Sequence, residues 1–276
     1  MKKTLLLAAM CCLLLACNNN EPKQTKLVTF HVDAFKVSTQ PMKAPQRAPI
    51  LDDADGVALT DLYIFDGTTL LAHQTSDMEA FGTVSLVMEY GAHTMSFVAT
   101  RSDGQSYESG VLSVTGVKPT FGKVQSITIG DAADAFEVTM QRVSGQLVVT
   151  FTDEIPADAE TLRIEIATKY DDMDVTTLNG ANGYAYSRDV AINGKAGKAG
   201  QSWTLNTLAA VYGEQYTTDV TLTVLRSDAS VIAQHLIEDV PLASNTKTLL
   251  TGEMFAGQTF GVSVDHTWAE DLQPEW

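Results

Sequence analysis

Short runs in which apolar and polar residues alternate recur along most of the chain, and this pattern most constrains how it can fold. The first run has apolar residues at every second position, namely Val28, Phe30, Val32 and Ala34. This is the period-two pattern of a strand with one buried face. Similar runs follow at 62–65, 84–88, 94–100, 111–115, 124–129, 136–140, 147–151, 162–166, 220–225, 231–237, 248–251 and 260–264. Turn-forming pairs such as Asp66-Gly67 separate many of them, so the sequence predicts an all-β protein made of β-sandwiches.

Helix is predicted at one place only, over at most two turns from Leu205 to Tyr212. A domain boundary is predicted near Asp131–Arg142, where a Gly- and Asp-containing stretch interrupts two strand-like runs. The predicted domains are residues 26–138 and 139–276. Each is close to the roughly 100 residues of a single sandwich.

The first residues have the pattern of a secretory signal peptide, predicted here as residues 1–16. Lys2 and Lys3 precede an uncharged run from Thr4 to Ala16. That run is too short to span a membrane, which takes about 20 residues in a helix. Its ending, Leu14-Leu15-Ala16-Cys17, resembles the lipobox of bacterial lipoproteins.

The lipobox resemblance implies that Cys17 is acylated after cleavage and that residues 17–25 form a polar tether to a membrane. The alternative is that Cys17 is one more thiol of an ordinary signal peptide. Cys11 and Cys12 lie within the predicted signal, so no disulfide is expected in the mature protein.

Composition excludes two broad classes. The chain has 34 acidic against 18 basic residues and a formal charge of −16, so a nucleic-acid partner is not expected. Hydrophobic residues make up 45% of the chain, which is enough for a packed core and excludes a disordered protein.

No catalytic or cofactor motif is present. The five histidines have neither HxH nor HExxH spacing, no Gly-x-Ser-x-Gly motif occurs, and the stretch Gly194–Gly200 lacks the ending of a phosphate loop. The sequence therefore predicts no enzyme activity, no cofactor and no metal centre. Two acidic clusters keep a weak ion site open as an alternative to solvated loops: Asp52, Asp53 and Asp55, and Asp171, Asp172 and Asp174.

A second functional hypothesis is a surface lipoprotein that binds glycans through aromatic side chains. The densest aromatic stretch contains Tyr184, Tyr186, Trp203, Tyr212 and Tyr216. Rings at this spacing also suit a buried core, so exposure decides between the two interpretations.

The order of segments resembles the fimbrillin-type subunits of type V pili of Bacteroidales. The lipobox is followed by a strand at 27–34, a Pro- and Arg-containing linker at 41–49, and Leu62-Tyr63-Ile64-Phe65-Asp66-Gly67. Next come Val84–Tyr90 with Gly91, and later Val240-Pro241-Leu242, Asn245–Thr248 and Phe260–Asp265 with Trp268. The likeness extends over nearly the whole chain.

The resemblance implies two tandem, transthyretin-like Greek-key sandwiches behind a lipoprotein signal peptide, in a protein of the outer membrane and the cell-surface fimbrium. In that family a trypsin-like protease cuts after an Arg beyond the first strand, which here would be between Arg47 and Ala48. Loss of the strand that carries Val28, Phe30, Val32 and Ala34 would open an apolar groove that a neighbouring subunit fills by strand addition. The implied partners are other fimbrial subunits, the outer membrane, and a surface receptor or glycan.

Two details keep the role within a fimbria open. Arg47 is equally well explained as a loop cation in an anchor subunit that keeps its first strand. The family's donor segment is C-terminal, but here Thr259–Val264 is the last strand-like run and Ala269–Trp276 is short and mostly polar. This ending favours an anchor or accessory subunit.

Overall fold

The computed structural model describes residues 23–33, 59–101, 105–114, 119–132, 135–257 and 259–266, and in these residues it contains strands and no helix. It follows that no helix in this part of the chain is long and apolar enough to cross a membrane. The strands of the first half are β1 (Thr25–Asp33), β2 (Asp61–Asp66), β3 (Thr69–Thr75), β4 (Thr83–Glu89), β5 (Gly91–Thr100), β6 (Ser106–Glu108), β7 (Val111–Ser113), β8 (Thr120–Ile129), β9 (Ala135–Thr139) and β10 (Gln141–Arg142). Those of the second half are β11 (Ser144–Phe151), β12 (Thr161–Lys169), β13 (Asp172–Asp174), β14 (Gly180–Ala181), β15 (Tyr184–Ala191), β16 (Gln201–Leu208), β17 (Gln215–Leu225), β18 (Val231–Ala243), β19 (Lys247–Gly252) and β20 (Gly261–Asp265).

The first half folds into a β-sandwich. Its sheets have the strand orders β4-β1-β9 and β10-β8-β5-β2-β3. Alternate residues of both sheets point inward and form one apolar core, in which Phe30, Phe97 and Phe121 are fully buried. The all-β sandwich expectation is confirmed for this half.

The second half repeats this arrangement. Its sheets have the orders β16-β11-β19-β20 and β15-β12-β17-β18, and its core includes Phe151, Leu162 and Trp203. β11 pairs antiparallel with β16 and parallel with β19, just as β1 pairs antiparallel with β4 and parallel with β9. The two halves thus share one topology, and β20 is an addition at the edge of the second.

A small fifth sheet, with the order β14-β13-β7-β6, takes two strands from each half. Beneath it, Phe65, Leu112, Met173 and Leu208 belong to a separate apolar cluster. The halves are therefore joined by strand pairing as well as by packing. The predicted domain limits, residues 26–138 and 139–276, stay a prediction. The shared sheet contains strands from both halves, so the two halves are not separate in the fold.

The predicted helix from Leu205 to Tyr212 is wrong. Leu205 lies in β16, where it is the register partner of Leu147 in β11. Trp203, Leu205 and Thr207 are buried at alternate positions, which is the strand period. Pairing with β11 outweighs the local helical preference, and the chain leaves the strand after Leu208.

Candidate functional site

The first described strand, β1, lies in the middle of its sheet rather than at an edge. It pairs antiparallel with β4 over Thr25–His31 and parallel with β9 over Thr29–Asp33. Both sides of β1 are consequently held by backbone hydrogen bonds.

The inner face of β1 supplies the centre of the first core. Val28, Phe30 and Val32 are all fully buried, as the alternation in the sequence predicts. The Phe30 ring lies 5.4 Å from that of Phe97 on the opposite sheet and 5.6 Å from that of Phe136 on β9. Phe30 therefore bridges both sheets of the sandwich.

Polar contacts fix the start of β1 from several directions. Lys23 forms an ion pair with Glu89 on β4, with Nζ and Oε2 2.5 Å apart. Lys26 Nζ donates to the backbone carbonyls of Gly130 and Asp131, at 3.1 and 2.7 Å. Glu89 lies on β4, while Gly130 and Asp131 directly follow β8, so these contacts tie the N-terminal end of β1 to both sheets of the first half.

His93 forms hydrogen bonds that hold the end of β4 beside the start of β1. His93 Nδ1 lies 2.6 Å from Asp66 Oδ2, and its Nε2 lies 2.9 Å from the carbonyl oxygen of Glu89. Burial lowers the pKa of His93, but the hydrogen bonds to Asp66 and Glu89 outweigh burial and leave the pKa raised above its ordinary 6.5. The protonated imidazole therefore stabilises this corner of the sandwich.

The site that follows from this geometry is a groove with the shape of one strand. Without β1, the facing backbone edges of β4 and β9 would each have an unpaired row of donors and acceptors. The floor between them would be apolar, lined by Val84, Met88, Phe97 and Val138. We call this space the β1 groove; its chemistry suits an extended peptide with apolar residues at every second position.

The other residues proposed from the sequence for this site are Cys17, Ala34, Arg47 and Ala48, which lie outside the described residues. The same applies to Asp52, Asp53 and Asp55. Their predicted roles stay predictions.

The aromatic stretch does not form one platform. Trp203 packs against Phe151 inside the second core, with ring centroids 4.9 Å apart, while Tyr184 on the other sheet is 42% exposed. Tyr186 and Tyr216 pack on the second core, and Tyr212 packs on the apolar cluster beneath the small shared sheet. Burial raises the pKa of Tyr216 to about 12, as expected for a hydroxyl held away from water.

The acidic residues at the end of β12 and in β13 are used for bonds within the protein. Asp171 accepts a hydrogen bond from Tyr184 and pairs with the buried Lys169. Asp172 accepts from Asn182, and Asp174 accepts from the backbone and hydroxyl of Thr176. Among the described residues no group of three His, Cys, Asp or Glu side chains is arranged to hold a metal ion.

The walls of the β1 groove were not recognisable from the sequence. The run at 136–140 predicts a strand, but nothing local shows that Phe136 lies beside Phe30 in a parallel pair. The small shared sheet was also missed, because strands of two or three residues, such as β6 and β14, are too short to show a period. The pair Ser109-Gly110 connects β6 and β7, and it is the sequence feature that could have predicted a hairpin turn there.

Several solved structures are similar to this protein. A candidate adhesin from Bacteroides ovatus matches with a TM-score of 0.50 and 10% identity, over 78% of this chain and 83% of that chain. A tip fimbrial protein from Porphyromonas gingivalis, with a C-terminal truncation, has a TM-score of 0.44 and 12% identity over 88% of this chain and 99% of its own. A fimbrial assembly protein from Parabacteroides distasonis has a TM-score of 0.42 and 10% identity over 88% of this chain and all of its own, 100%. The first of these similarities shows the fold.

No curated protein matches the sequence. A family model matches residues 111–275, from β7 of the first half onward, and is described as a family of unknown function, DUF6562. Because this match covers more than half of the chain, the protein belongs to that family.

Proposed function

We propose that this protein is a structural, anchor or accessory subunit of a cell-surface fimbria, assembled by strand addition and contributing to adhesion. The observation that carries the proposal is the central position of β1 between β4 and β9, directly ahead of the linker that contains Arg47. The adhesin fold and the order of segments agree with this role. It is a structural role and involves no catalysis.

Maturation is proposed in two steps. The chain is exported as a lipoprotein acylated at Cys17, which leaves it on the outer membrane with the sandwiches at the cell surface. In a subunit that polymerises, a protease then cuts after Arg47, and β1 is no longer covalently joined to the body. An anchor subunit would retain both the lipid and the strand.

Energetics indicate that β1 is displaced by a competing strand rather than lost spontaneously. Burying a side chain such as Val or Phe contributes about 1.5–3 kcal/mol, so Val28, Phe30 and Val32 together contribute roughly 5 to 9 kcal/mol. This is comparable with the whole stability of an ordinary domain, about 5–15 kcal/mol. An incoming strand must therefore supply equivalent apolar residues while β1 leaves.

Maturation is tested by mass spectrometry of the N-terminus of protein isolated from its native membrane. We expect a lipidated Cys17 in an anchor and Ala48 in a processed subunit. Arg47→Gln should abolish the form that begins at Ala48, whereas Lys43→Gln in the same linker should leave it unchanged. Any other mature N-terminus contradicts the proposal.

Strand addition is tested with a labelled peptide of the β1 sequence, Thr25–Asp33, added to the protein cut after Arg47. We expect the peptide to replace the bound strand and to co-elute with the body. A matched peptide carrying Phe30→Asp should not bind, because the groove would have to bury an unpaired charge. Equal binding of both peptides would rule out the β1 groove as the acceptor.

A further inference from the structure

The small sheet shared by the two halves forms one side of a concave cleft with a volume of about 370 Å³. We call it the junction cleft. The β6–β7 hairpin of the first half and the β13–β14 region of the second half contribute its polar lining: Ser106, Glu108, Ser109, Ser113, Asp172 and Asn182. A site between two halves of a chain is a common position for ligands.

Buried side chains and a backbone hydrogen bond hold the strands that form the cleft. Leu112 and Met173, which are register partners in β7 and β13, are fully buried on the opposite side of the sheet. The Gly110 carbonyl accepts a hydrogen bond from the backbone of Val175, with N and O 3.0 Å apart. The second half therefore holds the hairpin in place.

The hydroxyl groups that line the cleft are free to bind a ligand. Within the described part of the chain, the side chains of Ser106, Ser109 and Ser113 make no hydrogen bond. Each hydroxyl can both donate and accept. Three such groups on one concave surface match a ligand that itself carries several hydroxyls.

The charged residues that line the cleft indicate which kind of ligand it can bind. Glu108 and Asp172 contribute carboxylates, and none of the described residues lining the cleft is a Lys or Arg, so an anionic ligand is disfavoured. Calcium binds through carboxylates together with carbonyl and water oxygens, about six to eight in all, so calcium is the competing ligand in the test below. Carboxylates do accept hydrogen bonds strongly from neutral hydroxyl groups.

The backbone at Ser109 adds an independent observation. Ser109 and Gly110 have φ values of 51° and 89°, the pattern of a two-residue hairpin turn with both central residues at positive φ. Gly, Asn or Asp is favoured at the first of these positions, whereas Ser is not. Ser109 therefore lines the cleft from a tight turn, at a position where glycine is conformationally compatible.

We propose that the junction cleft binds a neutral saccharide, whose hydroxyls pair with the serine hydroxyls and with the carboxylates of Glu108 and Asp172. The β1 groove plays no part in this binding. The saccharide proposal and the fimbrial proposal can therefore each fail without the other.

The test begins with the full-length protein on an array of neutral and acidic glycans. We expect binding to neutral glycans, and titration calorimetry with the neutral oligosaccharide that gives the strongest signal then measures Kd. Asp172→Asn should weaken binding at least tenfold while keeping the hydrogen bond to Asn182. Ser109→Gly should weaken it as well without harming the fold, because glycine suits the positive φ.

The matched control is Ala229→Gly, which makes the same kind of change at an exposed turn residue with a φ of 63°. It should leave Kd unchanged. Absence of neutral-glycan binding, or a Kd that neither cleft variant changes, would overturn the proposal. So would binding restricted to acidic glycans, or a calcium titration that detects calcium bound in the cleft in place of sugar.

Discussion

Phe30 and Phe136 are direct register partners in the parallel β1–β9 pair, and their rings stack with centroids 5.6 Å apart at an angle of 19°. One residue belongs to the first described strand and the other to the last strand of the same sheet. The contact therefore joins β1 to β9 within this sheet. A strand that replaced β1 would have to make an equivalent contact with Phe136.

Replacing Phe30 with Asp should destabilise the protein by several kcal/mol. The side chain is fully buried among apolar residues, so the carboxylate would be desolvated. Urea unfolding followed by circular dichroism measures the change.

The control lies three residues earlier on the same strand. Leu27 is 61% exposed, and its register partner Val87 is 70% exposed, so both point to solvent. Leu27→Asp should change the free energy of unfolding by about 0.5 kcal/mol or less. If the two aspartate variants unfold at the same urea concentration, β1 is not part of the core.

The pH dependence of stability should report on His93. Its pKa is raised in the folded state, because the hydrogen bonds to Asp66 and Glu89 outweigh burial, so the folded protein binds this proton more tightly than the unfolded chain does. The resulting stabilisation is complete below the unfolded pKa of about 6.5 and is lost as pH rises through the higher folded pKa. Urea unfolding between pH 5 and pH 9 should show this loss.

Two variants isolate the contribution of His93 to that profile. His93→Gln removes the titrating imidazole and Asp66→Asn removes the carboxylate charge that favours its protonated form, so both should flatten the same part of the curve. A slope unchanged in either variant would show that the imidazole is not the group responsible.

Gly145 is expected to tolerate no side chain. It lies in β11, and a Cβ at this position would collide with the backbone carbonyl of Ala243. Because a carbonyl held in a strand cannot move aside cheaply, Gly145→Ala should destabilise the protein by about 2 kcal/mol or more. Thermal unfolding gives the measurement.

Gly130 provides the matched glycine. A Cβ there meets nothing within 4 Å, and its φ lies outside the left-handed region. Gly130→Ala should therefore leave the thermal midpoint nearly unchanged. A large loss at Gly130, or none at Gly145, would contradict the packing described for these two positions.

The sequence predicted the strand content well where strands are long and half-buried. Alternating apolar residues located β1, β9 and β11, because side chains on a strand point to opposite faces in turn. The same rule failed from Leu205 to Tyr212, where a short apolar run has no decisive period and tertiary pairing with β11 determines the conformation. Strands as short as β6 and β14 lay below what periodicity can detect.

What the sequence determined by itself is local: which residues alternate, and that Val28, Phe30 and Val32 share a buried face. Only the tertiary structure decided that β1 lies between β4 and β9, and that the two halves meet in one small sheet with a polar cleft. The physical reason is that periodicity records the solvent exposure of each residue. Strand partners far apart in sequence are selected instead by packing and hydrogen bonding across the whole fold.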